Sequence, residues 1–148
     1  MFKKLRKNEK GFTLAELLIV VAIIGVLVAI SIPIFTSQLE KSRDAVTLSN
    51  IRAAYAQAQS SYLTEDTTST DATYAKKDDG TATVTVTGVE AKGQSGTIDN
   101  FSQLPFAGKA SSLNAENSMG GTAGTYKLTF TYDKNGNITE VSAEKQSK

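Results

Sequence analysis

The fold of this chain is decided near its start by residues 10–35, which read KGFTLAELLIVVAIIGVLVAISIPIF. Among the 24 residues from Phe12 to Phe35, the only polar side chains are Thr13, Glu16 and Ser31. A helix needs about 20 mostly apolar residues to span a bilayer. The segment is therefore predicted to form a helix that is long enough to cross a membrane.

Positive charge is concentrated just before this segment. Residues 1–11 contain five basic residues and one acidic residue, and residues 12–148 contain 11 basic and 14 acidic residues. Because basic residues that flank a spanning segment stay in the cytoplasm, we expect the N-terminus inside the cell and the residues after 36 outside. The negative charge of residues 12–148 disfavours nonspecific nucleic-acid binding, and whether nucleic acid is a partner is left open.

Apolar residues continue at helical spacing after residue 36. Steps of three and four residues separate Leu48, Ile51, Tyr55, Ala58 and Tyr62. This spacing predicts an amphipathic helix, whose apolar face we expect to pack on the rest of the fold. The polar residues of the segment are assigned to the other faces: Arg43, Asp44, Asn50, Arg52, Gln57 and Gln59.

One uninterrupted helix of roughly 50 residues is predicted, because neither proline nor glycine occurs in residues 36–63. Two positions inside it are weak points. Pro33 has no N–H for the helical hydrogen-bond ladder, so we expect a bend or a local opening there. Gly25 has a low helix propensity.

The remaining residues carry strand signals. Residues 126–132 alternate apolar and polar side chains, Asn135-Gly136 predicts a tight hairpin turn, and residues 138–144 would form the return strand. Ile138 and Val141 differ in parity, so either a bulge is present or one of them faces outward. Residues 64–87 are expected to be a solvated loop that ends in a strand over residues 83–89, and residues 107–125 a surface loop.

A sheet of this size needs a second layer to cover its apolar face. The helix face from Leu48 to Tyr62 can supply that layer. The predicted fold class is therefore α+β: one long N-terminal helix, with an apolar inner half and an amphipathic outer half, packed on a small antiparallel β-sheet.

The composition narrows the possible chemistry, because the chain has no cysteine and no histidine. This excludes disulfides, thiolate nucleophiles, imidazole bases and the usual zinc clusters. No catalytic residue, metal site or cofactor is predicted, and the chain is not expected to be an enzyme. The spacing Asp133-x-Asn135-x-Asn137 is that of a calcium loop, but Ile138 stands where such a loop needs glycine.

The string Lys10-Gly11-Phe12-Thr13-Leu14-Ala15-Glu16, with the apolar run after it, closely resembles the processing site of type IV prepilins and related pseudopilins. The family pattern is a short basic leader that ends in glycine, then an aromatic residue, Thr-Leu-x-Glu and an apolar stretch. The resemblance extends over residues 1–63. The lack of cysteine is similar to major pilins of Gram-positive bacteria, whereas many other pilins hold their C-terminal loop with a disulfide.

The resemblance implies a role for each of three residues. Gly11 would precede the bond that a membrane prepilin peptidase and methyltransferase cuts, and Phe12 would become the N-methylated mature N-terminus. Glu16 would pair with the Phe12 amine of a neighbouring subunit, which would offset the cost of a carboxylate in the membrane.

The same resemblance implies that the chain has three parts and that it is first held in the membrane and then assembled into a filament. Residues 1–11 would be a removable leader, 12–35 a transmembrane and filament-core helix, and 36–148 an exterior domain. The precursor would sit in the cytoplasmic membrane and then join a helical homopolymer on the cell surface, with the help of an assembly platform and its ATPase. Such filaments serve twitching motility, adhesion, aggregation or DNA uptake.

Other interpretations of the same residues are kept as alternatives. Thr13-x-x-Glu16 is also a capping box, with Phe12 and Leu17 placed as a hydrophobic staple, and this is compatible with the pilin interpretation. The chain could be a pseudopilin of a type II secretion or competence system, or a monomeric, membrane-anchored extracellular binding domain. Ala29-Ile30-Ser31 is a passable signal-peptide cleavage site, but the apolar run continues past it.

Overall fold

The structure, a computed structural model, describes residues 11–147. The predicted leader, apart from Gly11, lies outside these residues. The helix α1 extends over Leu14–Thr64, and the described residues divide into two units between Gln38 and Leu39. In the first unit, α1 is long and apolar enough to cross a membrane by length and composition alone.

The second unit contains a four-stranded antiparallel sheet. Its strands are β1 (Ala72–Lys76), β2 (Ala82–Ala91), β3 (Gly124–Tyr132) and β4 (Ile138–Lys145), and they follow one another in that order across the sheet. The connection from β2 to β3 contains three short 3₁₀ turns at Phe101–Gln103, Ala107–Lys109 and Ser111–Asn114.

The outer half of α1 packs on this sheet. Leu48 and Ile51 are buried in the common core, and Tyr55 and Tyr62 pack against it from partly buried positions. The Tyr62 ring stacks on Tyr132 of β3 with ring centroids 4.2 Å apart. The predicted α+β class, with one long helix on an antiparallel sheet, is confirmed.

The β3–β4 hairpin contains a bulge, which is one of the two predicted alternatives. Thr131 pairs with Glu140 and Tyr132 with Ile138, so Thr139 is the extra residue in β4. The bulge lets Val141 be buried and Ile138 be partly buried despite their different parity. The turn is wider than the predicted tight turn, because Asp133 Oδ1 accepts the backbone N–H groups of Asn135 (2.8 Å) and Asn137 (2.9 Å).

Two segments differ from the sequence-based prediction. The solvated loop predicted for residues 64–87 contains β1, whose Ala72 and Tyr74 are buried. The surface loop predicted for residues 107–125 contributes Leu113 and Met119 to the core, both fully buried. In each case a few apolar residues are buried by contacts with distant parts of the chain, and local composition does not report such contacts.

The assignment of Asp44 to a solvent-exposed face is also wrong. Asp44 is only 4% exposed. It precedes Leu48 by four residues and Ile51 by seven, so it lies on the same helical face as the buried apolar residues. The helical spacing of Asp44 relative to Leu48 and Ile51 was the sequence signal that Asp44 would be buried.

The fully buried Tyr132 hydroxyl forms no hydrogen bond with the residues that the structure describes. Its burial raises the pKa of Tyr132. Because an unpaired buried hydroxyl is destabilising, we expect Tyr132→Phe to raise the free energy of unfolding by roughly 1 kcal/mol. Denaturant unfolding of the full-length chain in detergent, followed by near-UV circular dichroism, tests this. A loss of stability would show that the hydroxyl has a partner.

Candidate processing and assembly site

The helix α1 begins with a capping box at the predicted processing motif. Thr13 N–H donates to Glu16 Oε2 at 2.8 Å, and Glu16 N–H donates to Thr13 Oγ1 at 3.2 Å. Each of these bonds satisfies a backbone N–H at the helix start, which has no acceptor within the helix. The box therefore defines where the helix begins, and Gly11 and Phe12 lie before it in non-helical backbone.

The two residues around the predicted cleavage point are accessible. Phe12 is 79% exposed. Among residues 13–147, no atom lies within 4 Å of the position that a Cβ would take at Gly11. An enzyme could therefore bind this short non-helical segment without first unfolding the helix.

Glu16 is the first acidic residue of α1 and stands immediately before its long apolar run. Within the described residues, the Glu16 carboxylate accepts one hydrogen bond, from the Thr13 N–H. No basic side chain within residues 11–147 forms an ion pair with it. Within the described residues, the charge of the Glu16 carboxylate is therefore not paired with a cation.

The apolar residues after Glu16 are exposed in the single chain. Every large apolar side chain from Leu17 to Phe35 has at least 46% of its surface exposed. This far exceeds what a soluble monomer leaves in contact with water. The surface has to be covered by lipid or by other chains.

The two predicted weak points lie inside this helical segment. The helix assignment continues through both Gly25 and Pro33. Two hydroxyls nearby hydrogen-bond to the backbone: Ser31 to the Leu27 carbonyl at 2.6 Å and Thr36 to the Pro33 carbonyl at 3.0 Å. A bend at either position stays a prediction.

The calcium-loop alternative at Asp133 has a simpler explanation in the hairpin. Asp133 Oδ1 accepts two backbone N–H groups, and its Oδ2 accepts the Asn137 side-chain amide at 3.2 Å. These bonds use the carboxylate to close the turn. Within residues 11–147, no three acidic side chains come together as a metal-binding group.

Comparison with known proteins agrees with the N-terminal motif. Residues 6–32 match the family described as the prokaryotic N-terminal methylation motif. The type IV major pilin protein PilA of Myxococcus xanthus is 47% identical over 58 residues, which cover 39% of this chain and 26% of that protein.

Two further relatives are similar over comparable lengths. A fimbrial protein of Pseudomonas aeruginosa is 44% identical over 57 residues, 38% of this chain and 37% of that protein. The type IV narrow pilus major component PilA5 of Thermus thermophilus is 48% identical over 52 residues, 33% of this chain and 45% of that protein. This chain thus matches less than half the length of each relative, and no solved structure gives a significant match.

The capping box at Thr13 and Glu16, the exposed apolar helix behind it and the matching methylation motif all concern the same segment. Together with the similarity to type IV pilins, they support a type IV prepilin-like protein.

Proposed function

We propose that this chain is a structural subunit, and specifically the major pilin, of a type IV pilus. The observation that carries the proposal is the exposed apolar surface from Leu17 to Phe35, directly behind the processing motif. Burial of such a surface is the main favourable contribution to protein association. The relatives named as major pilins support the choice of a filament over a simple anchor.

Processing is the first proposed step. A prepilin peptidase cuts after Gly11, and the new Phe12 amine is methylated. The open space beside Gly11 and the exposure of Phe12 support this step. Cleavage removes the basic leader and leaves a positive amine four residues before the Glu16 carboxylate.

Membrane insertion precedes assembly in this proposal. Residues 12–35 span the cytoplasmic membrane, the basic leader stays inside, and residues 36–148 form the exterior domain. The charge asymmetry around the apolar segment supports this orientation. The membrane covers the apolar surface until other subunits replace the lipid.

Assembly then brings together the inner helix halves of many copies. Glu16 pairs with the Phe12 amine of a neighbour, which fixes the axial position of each incoming subunit. The capping box supports this role, because it orients the carboxylate and leaves its charge without an internal ion-pair partner among the described residues. An assembly platform and its ATPase are the proposed energy source, and no enzymatic reaction is assigned to the chain itself.

Intact-mass spectrometry of the material sheared from whole cells tests the proposal. We expect an abundant species that begins at Phe12 and carries one added methyl group. A pseudopilin would show the same processing but would be scarce in the sheared material. A monomeric anchored domain would stay in the membrane fraction with residues 1–11 intact, and that result would refute the proposal.

Gly11→Val is the matched control. No atom of residues 13–147 lies within 4 Å of the added Cβ, so the fold of these residues should be unchanged and only the fit to the peptidase should suffer. We expect this variant to keep residues 1–11 and to be missing from the sheared fraction.

A further inference from the structure

Side chains on one face of α1 hold the segment that follows β2. Three of them accept backbone N–H groups of this segment: Thr47 Oγ1 from Lys92 at 2.9 Å, Glu40 Oε1 from Gln94, and Asp44 Oδ2 from Asp99 at 3.2 Å. Positions 40, 44 and 47 are four and three residues apart, so these side chains lie on the same helical face. We call this contact between α1 and residues 92–99 the clasp.

Asp44 is the buried member of the clasp. Its side chain is 4% exposed, and its Oδ1 accepts no hydrogen bond from the residues that the structure describes. The backbone of Gly93 lies close over this oxygen, because a Cβ at Gly93 would stand only 2.6 Å from it. A buried charge with an unpartnered oxygen is unfavourable. Closing the clasp over a charged Asp44 therefore has an energetic cost.

The charged groups that face Asp44 do not offset this cost. On α1, the Glu40 carboxylate lies one helical turn earlier, and on the facing segment the Asp99 carboxylate follows the N–H that Asp44 accepts. The two nearby cations are engaged with other carboxylates: Arg43 with Glu40 at 3.3 Å and Lys92 with Glu90 at 2.8 Å. Within residues 11–147, Asp44 has no ion-pair partner.

These surroundings favour the protonated form of Asp44 in the folded chain. Burial raises the pKa of Asp44, the Asp99 N–H opposes this shift, and the charges of Glu40 and Asp99 add to it. A group whose pKa is higher in the folded than in the unfolded state binds a proton on folding. Asp44 therefore destabilises the closed clasp above its raised pKa, and this penalty disappears as the pH falls to the ordinary range of an aspartate.

We propose that the clasp is controlled by a proton: it stays closed when Asp44 is protonated and opens locally more often when Asp44 is charged. Opening separates residues 92–99 from α1 and lets water reach the carboxylate, which removes the cost of burying the charge. Glu40 does not respond in the same way. The Gln94 N–H holds the pKa of Glu40 below its ordinary value, so Glu40 stays charged while Asp44 titrates.

Amide hydrogen exchange of the full-length chain in detergent, followed by NMR between about pH 4 and pH 7, tests the clasp. After correction for the pH dependence of intrinsic exchange, we expect the protection of the Asp99 amide to fall by at least about threefold from the lower to the higher pH. Asp44→Asn keeps an oxygen for the Asp99 N–H and cannot be charged. Protection of the Asp99 amide in this variant should not change with pH.

The carboxyl carbon of Asp44 gives a second readout by NMR titration. Its midpoint should lie above the ordinary aspartate value of about 3.9. Asp99→Asn should lower this midpoint, because it removes one repelling charge and leaves in place the backbone N–H that Asp44 accepts. Asp78→Asn is the control. Asp78 is exposed in the turn between β1 and β2, so its replacement should change neither readout.

Three results would overturn the proposal. They are a pH-independent protection of the Asp99 amide in the wild type, the same pH dependence in Asp44→Asn, and a titration midpoint of Asp44 at or below the ordinary value. If Asp44→Asn does not fold, the wild-type titration and Asp99→Asn still decide between the outcomes. Both readouts come from the single chain, so they stand or fall separately from the proposed filament function.

Discussion

Glu16→Gln should lower the amount of sheared filament by at least about tenfold while leaving cleavage after Gly11 intact. Glutamine has the shape of glutamate and serves equally well at the third position of a capping box. The hydrogen bond from the Thr13 N–H can therefore be kept, and the helix should still begin at Leu14. What the substitution removes is the charge that would attract the Phe12 amine of a neighbour.

The measurement is the quantity of processed pilin in sheared and membrane fractions by immunoblot, with intact mass to confirm the N-terminus. Thr13→Val is the complementary variant, because it removes the hydroxyl that accepts the Glu16 N–H and keeps the carboxylate charge. We expect its filament yield to fall much less than that of Glu16→Gln. Wild-type yield from Glu16→Gln would contradict the proposed pairing, since the cap alone would then be sufficient for assembly.

Ile51→Ala should lower the free energy of unfolding of the second unit by about 2–5 kcal/mol, which corresponds to a Tm lower by roughly 8–20 °C. Ile51 is 0% exposed and belongs to the core between α1 and the sheet. Truncation removes buried methyl groups and leaves a cavity that close-packed neighbours fill only in part.

Near-UV circular dichroism of the full-length chain in detergent follows this unfolding, because the tyrosine rings of the helix–sheet contact report tertiary packing. Val46→Ala is the matched control on the same helix. Val46 is 45% exposed, so we expect its truncation to change stability by less than about 0.5 kcal/mol. Equal effects of the two substitutions would mean that Ile51 does not pack between the helix and the sheet.

The β3–β4 hairpin shows which structural features a local sequence pattern can predict. Alternation over residues 126–132 was enough to predict β3 and β4, and the parity change between Ile138 and Val141 limited the hairpin to a bulge or an outward-facing residue, because these features depend on neighbours across one turn. The width of the turn was not predictable in the same way. It depends on which acceptors Asp133 offers to the backbone, and the Asn-Gly pair alone does not report this.

The N-terminal motif and the long helix are what the sequence determined by itself. Helical hydrogen bonds connect residues four positions apart, and a capping box connects residues three apart, so residues 11–64 carry the information for their own structure. Hydropathy alone likewise marks residues 12–35 as a surface that needs lipid or protein around it.

Only the tertiary structure decided the remaining features. β1 has two buried residues, Ala72 and Tyr74, and becomes a strand because β2 pairs with it. The burial of Leu113, Met119 and Asp44 depends on segments that are far apart along the chain and meet in the fold. Contacts of this kind are set by how the helix, the sheet and their connection pack together, and so a linear pattern of residue types contains only weak signs of them.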